Sequence, residues 1–194
     1  MQGLGDIQLQ GILTRAIGHD RAGVAVEAFR QPASVSVRVN PFKVCEPERF
    51  AKEHFVTETQ KVPWSPYGFT LGERPKFTLD PLFHCGCYYV QDSSAMAIGS
   101  IFRDILRNCD CCSTPVRVLD LCAAPGGKST DLAASLREAF GDNFILVSNE
   151  VMRSRASVLA DNMALWGDPN VVATSVDPKA FARLEGFFDI IVAD

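Results

Sequence analysis

Long apolar runs are missing from this sequence. No stretch approaches the roughly 20 consecutive apolar residues that a helix needs to cross a bilayer, so a membrane-spanning helix is excluded and no membrane partner is expected. The first ten residues, MQGLGDIQLQ, have neither a basic start nor an apolar core; no signal peptide is expected, and a cytoplasmic location follows by default. An excess of positive charge is also absent, with 19 basic against 23 acidic side chains and a formal net charge of −4. Residues 1–110 balance at 12 basic and 12 acidic, and the deficit falls in residues 111–194, with 7 and 11. No basic patch announces nucleic acid, so a nucleic-acid reading must rest on other residues. A secreted disulfide framework is not expected either, because the seven cysteines are odd in number and lack a secretory context. Cys85 and Cys87, with Cys109, Cys111 and Cys112, could gather round zinc, but their C-x-C spacing is not the usual C-x-x-C, and no metal is expected.

What is present is enough to build a core: 47% of residues are hydrophobic and 22% charged, in a length suited to one or two domains. Apolar positions from Ile12 to Phe29 predict one or two short helices broken near Gly18 and ended by Pro32. Ser34 to Asn40 alternates as a strand, its valines on one face and Ser34, Ser36, Arg38 and Asn40 on the other. Glu46 to Phe55 predicts a helix with acids in its first turn. From Lys61 to Phe83, four prolines among Trp64, Tyr67, Phe69 and Phe77 predict short strands and loops without helix. The aromatics there, beside Lys61, Arg74 and Lys76, could stack bases, although anchoring a small sheet is the simpler role. Asp92 to Ser94 predicts a helix start, followed by an apolar stripe of Ala95, Ile98, Phe102 and Ile105.

The remainder alternates regularly. Strands are predicted at Val116–Leu121, Phe144–Ser148, Val171–Val176 and Phe188–Ala193. Helices at Lys128–Phe140, Arg153–Trp166 and Lys179–Leu184 separate them. Such alternation implies a parallel doubly wound sheet. The expected organisation is an N-terminal α+β domain over residues 1–85, followed over residues 86–194 by the first four strands of a Rossmann-like α/β domain. Four strands is few for such a sheet, and a further segment is expected after Asp194.

Ligands of these sheets bind beyond the carboxyl ends of the strands. Asp120, Glu150, Asp177 and Asp194 stand at four successive strand ends, and the first strand leads into a small-residue turn, Cys122-Ala123-Ala124-Pro125-Gly126-Gly127. A dinucleotide site would need G-x-G-x-x-G, which this turn does not supply. A phosphate loop would need G-x-x-x-x-G-K-[ST]; Gly127-Lys128-Ser129 fits its end, but Cys122 holds the place of its first glycine. A nucleotide-binding NTPase domain therefore stays open as an alternative, as does a non-catalytic RNA-binding module. S-adenosylmethionine suits the acids better. Glu150 is placed for the ribose hydroxyls and Asp177 for the adenine, the turn would hold the methionine part, and a sulfonium cation favours nearby carboxylates.

Three segments also resemble a known family, the Sun/Fmu-type RNA cytosine-5 methyltransferases. They are LDLCAAPGGKS (Leu119–Ser129), the R-x-N strand SVRVNP (Ser36–Pro41) and YYVQDSSAM (Tyr88–Met96). Asn162 with Trp166-Gly167 fits the end of the family's second crossover helix. Trp64-Ser65 with Gly68-Phe69 is similar to the bacterial branch that modifies small-subunit ribosomal RNA. The resemblance implies a class I methyltransferase fold, S-adenosylmethionine as cofactor, and RNA as partner, ribosomal before transfer RNA, with a monomer by default. It implies cofactor contacts from Cys122, Ala123, Ala124, Pro125, Gly126, Gly127, Lys128, Glu150, Arg155, Asp177 and Asp194. Lys128 and Asp194 would also stand beside the reacting base. The family's two catalytic cysteines match nothing up to Asp194, and the resemblance places both after it; the 194 residues alone are then expected to bind cofactor without turnover.

Overall fold

A computed structural model describes residues 4–108 and 115–194. They divide into two compact units, meeting at Ser34 and Val35. The first is a helical pair, α1 (Leu4–Ile17) and α2 (His19–Phe29), which bury Ala22 and Val26. Gly18, at φ 85°, supplies the break that the sequence predicts.

The second unit holds two four-stranded sheets. The first sheet is antiparallel, in the order β2 (Thr59–Lys61), β3 (Gly68–Leu71), β1 (Val35–Val39), β4 (Tyr88–Val90). Val37 lies opposite Phe69 on one side and Val90 on the other. The valine face of β1 packs with Ala51 and Phe55 of α3 (Pro47–His54) and its neighbourhood, and with Phe69, Phe77 and Tyr88. Two short helical elements interrupt the segment expected to have none, a 3-10 turn at Phe77–Leu79 and α4 (Pro81–His84). Asp80 caps α4, its Oδ1 accepting from the Leu82 amide at 2.9 Å, and Pro81 at the first helical position is preorganised for it.

Helix α5 (Ala97–Arg107) follows, rotated from the expected stripe. Gly99, Phe102 and Leu106 are buried, whereas Ile105 is 45% exposed. The glycine decides the rotation, because it is the side that can approach α6 (Gly127–Phe140): a Cβ at position 99 would come within 2.2 Å of the Asp131 carboxylate.

The second sheet is parallel, in the order β7 (Val171–Thr174), β6 (Phe144–Asn149), β5 (Val116–Asp120), β8 (Ile190–Val192). Helix α6 joins β5 to β6, α7 (Arg153–Trp166) joins β6 to β7, and a 3-10 turn at Pro178–Arg183 stands where a short α-helix was expected. The chain steps outward from β5 to β7 and then returns to the other side of β5. That reversal opens a crevice at the carboxyl ends of β5 and β8. Strand β5 is buried among Leu132, Leu136, Phe144 and Leu146.

The boundary expected at residues 85 and 86 falls inside the second compact unit and parts β4 from the rest of its own sheet. The polar face of β1 explains this. Arg38 and Asn40, both 0% exposed, bond across to the segments around the second sheet, while Ser36, 3% exposed, donates to the Gln91 carbonyl beside β4. Asn40 Nδ2 donates to the carbonyls of Gly86 and Trp166, each at 2.9 Å, and Lys43 Nζ donates to the Cys85 carbonyl at 2.8 Å and to that of Leu165 at 2.5 Å. Arg103 of α5 adds bonds to Asp131 and to the Trp64 carbonyl, at 3.3 and 3.0 Å.

Candidate cofactor site

Strand β5 is apolar until its last residue, so it delivers Asp120 to the carboxyl edge while keeping it buried, 2% exposed. Ser129, one turn into α6, donates its hydroxyl to Asp120 Oδ2 at 2.6 Å. Burial pushes the Asp120 carboxyl above its usual range, and so does Asp194; the Ser129 bond, the Cys122 amide and the charge of Lys128 offset only part of this.

The turn between β5 and α6 is anchored at both ends. The Leu121 amide donates to the Val192 carbonyl at 2.8 Å and the Ala123 amide to that of Asn149 at 2.8 Å. The Gly126 amide then closes the turn on Ala123 at 2.8 Å, after a cis Ala124–Pro125 peptide. Gly126 sits at φ 111°, a conformation that requires glycine, and a Cβ there would also displace the flexible end of Met163, 2.6 Å away. On the outside, α7 grips the turn. Arg155 Nη2 donates to the Ala124 carbonyl at 2.7 Å and Asn162 Nδ2 to that of Pro125 at 2.7 Å, with the Tyr89 hydroxyl donating there at 3.3 Å. Cys122 is left exposed, and Lys128, in the first turn of α6, reaches Asp194 and forms an ion pair with it.

Glu150, just after β6, is 4% exposed. Its Oε1 accepts from the Met152 amide at 2.9 Å, and its Oε2 lies 3.3 Å from Arg155 Nη1. Arg155 thus connects Glu150 to the turn. Asp177 is different: it is exposed and caps the 3-10 turn, accepting from the Lys179 amide at 2.8 Å. The structure therefore gathers the turn, Lys128, Asp120 and Asp194 at the reversal point, and sets Glu150 and Arg155 against the same turn. Asp177 stands one strand further out, occupied as a helix cap.

Several contributors are not evident from strand-end positions. Asn149 Oδ1 accepts from the Val176 amide at 3.1 Å and from Thr174 Oγ1 at 2.9 Å, while its Nδ2 donates to the Val176 carbonyl at 3.1 Å, which ties the ends of β6 and β7 together. Its signal is a polar residue closing an otherwise apolar strand. Arg38 and Thr130 support the turn from behind; the signals for Arg38 are the polar face of β1 and its place in the R-x-N strand, and Thr130 has none.

Cys45, Cys85 and Cys87 lie in the segments around the first sheet, outside this turn. Cys109, Cys111 and Cys112 lie outside the described residues. Among the described residues no group of three or more His, Cys, Asp or Glu could hold a metal ion, and no helix is long and apolar enough to cross a membrane.

The sequence and the fold also match known proteins. Residues 13–93 match a family model described as the N-terminal domain of 16S rRNA methyltransferase RsmF. Ribosomal RNA small subunit methyltransferase F of Cronobacter sakazakii is 34% identical over 185 residues, which cover 89% of this chain and 36% of that protein. The chain thus spans about a third of the length of the curated relatives it matches. Among solved structures, a methyltransferase homolog protein from Pyrococcus horikoshii aligns with a TM-score of 0.71 and 26% identity, over 91% of this chain and 55% of that one. NSun6 from Pyrococcus horikoshii, solved with SFG, shares the fold at a TM-score of 0.64 and 13% identity, over 90% of this chain and 66% of that one.

Proposed function

We propose that the chain belongs to the Sun/Fmu-type RNA methyltransferase family and forms the S-adenosylmethionine site of an enzyme that methylates C5 of cytosine in ribosomal RNA. The observation that carries this reading is the convergence of the glycine turn with Lys128, Asp194 and Asp120 at the strand reversal, flanked by the Glu150–Arg155 pair. The names of the matched family model and relative point to small-subunit ribosomal RNA as the substrate class.

The residues present suit the cofactor chemically. Carboxylates stand at the strand ends around a site for a cationic ligand with two ribose hydroxyls. In this reading Glu150 accepts from the ribose, Asp177 borders the adenine, and Cys122–Gly127 hold the methionine part. When bound, the cofactor supplies an electrophilic methyl group on a sulfonium. C5 of cytosine is too weak a nucleophile to take it until a thiolate has added at C6, and the base must be unstacked to enter. Asp194, paired with Lys128, would pass a proton to N3 as the thiolate adds, and after methylation loss of the C5 proton to a base expels the thiolate and restores the ring. In this reading the thiolate is none of Cys45, Cys85, Cys87 and Cys122; the first three lie outside the cofactor turn, and Cys122 is part of it.

The 194-residue chain should therefore bind cofactor without transferring methyl. Radiolabelled S-adenosylmethionine incubated with this chain and small-subunit ribosomal RNA tests the point. No incorporation is expected from the chain alone, and label on C5 of cytosine from the whole enzyme. Transfer by the chain alone, or label on another atom, would overturn the reading.

A further inference from the structure

Arg38 lies on β1, in the first sheet, yet its guanidinium ends beneath the cofactor turn of the second. It is fully buried, with Nε donating to Gln91 Oε1 at 2.9 Å and Nη2 donating to the Gly127 carbonyl at 3.0 Å and to Thr130 Oγ1. Its ring-facing side lies over Trp166, 4.6 Å from the ring centroid, and Asp131 Oδ2 is 3.9 Å from Nε. Gly127 is the first residue of α6 and Thr130 lies in its opening turn. Thr130 Oγ1 in turn donates to the Gly126 carbonyl at 2.9 Å, so one guanidinium reaches both glycines of the turn through a single relay.

This arrangement is a poor way to gain stability. A buried cation carries a large desolvation cost, and the amino end of a helix is the unfavourable end for positive charge. Arg38 Nη1 and Asp131 Oδ2 also find no hydrogen-bond partner among the described residues. What a planar fork does provide is geometry, because it fixes several acceptors in one plane. We infer that Arg38 is a positioning residue of the cofactor turn, setting the Gly127 carbonyl and the Thr130 hydroxyl, and with them the first turn of α6, from outside the sheet that bears the site. The inference rests on reading that turn as a cofactor site.

Three variants of the 194-residue chain test it. Arg38→Met fills similar space without the fork, Arg38→Lys keeps the charge and at most one acceptor, and Asn40→Ala removes the neighbouring stitch on the same strand, whose acceptors are the Gly86 and Trp166 carbonyls. Calorimetry with S-adenosylhomocysteine, well below each variant's melting temperature, should show affinity weakened about tenfold or more in Arg38→Met and less in Arg38→Lys. Asn40→Ala should bind as the parent does while melting lower. Amide hydrogen exchange should speed up at residues 127–131 in Arg38→Met and stay unchanged in β6. Unchanged affinity in both Arg38 variants would overturn the inference. So would equal weakening in Asn40→Ala, which marks general loosening. If the parent chain binds nothing, the cofactor reading itself fails, and the exchange comparison alone decides whether Arg38 sets the turn.

Discussion

Asp80 shows what one carboxylate does when its neighbours complete it. It caps α4 through Oδ1, while Oδ2 accepts the Tyr88 hydroxyl at 2.5 Å and lies 2.6 Å from His54 Nε2. Burial alone would raise its pKa, but the bonds from Tyr88, His54 and the Leu82 amide outweigh burial and leave it below the ordinary value. The same contact and the burial around it push the Tyr88 phenol up. A carboxylate with a depressed folded-state pKa contributes stability that is complete above its unfolded value, about 4, and is lost as pH falls through the folded value. Urea midpoints of the parent should therefore decline below about pH 4 more steeply than those of Asp80→Asn, which starts lower at pH 7 and is flatter. Parallel curves would contradict this role. At this scale the sequence was readable where chemistry depends on position along a strand: Glu150 and Asp194 are at the carboxyl edge because acids end apolar runs. It was not readable where a side chain's partner lies about 90 residues away, as Gly127 and Thr130 do for Arg38.

Among the elements, β1 carries the most information about organisation. Its alternation was legible, with valines on one face and Ser36, Arg38 and Asn40 on the other. Alternation alone suggests that the polar face meets water; here it is buried, since Ser36 bonds the Gln91 carbonyl and Arg38 and Asn40 bond carbonyls and side chains around the second sheet. That is why the compact-unit boundary lies at Ser34 and Val35 and the two sheets stay together. Residues 35–194 should give a cooperative thermal melt by circular dichroism, whereas residues 86–194, stripped of β1, should not. A cooperative melt of the shorter piece would contradict the account of β1. The parallel half was legible almost strand by strand, because short apolar runs alternate with 3.6-residue periods; α7 begins and ends where expected. The exceptions have local causes. Helix α5 turns its Gly99 side inward, and β8 pairs only over Ile190–Val192.

For the whole molecule, the parallel order β7-β6-β5-β8 puts the reversal of strand order beside the glycine turn, and the cofactor reading follows from what that reversal gathers. The turn's sequence carried the family resemblance, and the matches to a ribosomal RNA methyltransferase family and to methyltransferase folds agree with it. Calorimetric titration of the 194-residue chain tests the central claim most directly, with S-adenosylhomocysteine in one experiment and magnesium-ATP in another. Saturable one-to-one binding of S-adenosylhomocysteine, abolished or much weakened by Glu150→Ala, with no heat from magnesium-ATP, is the expected result. Binding of magnesium-ATP in its place, or S-adenosylhomocysteine affinity indifferent to Glu150→Ala, would contradict the account.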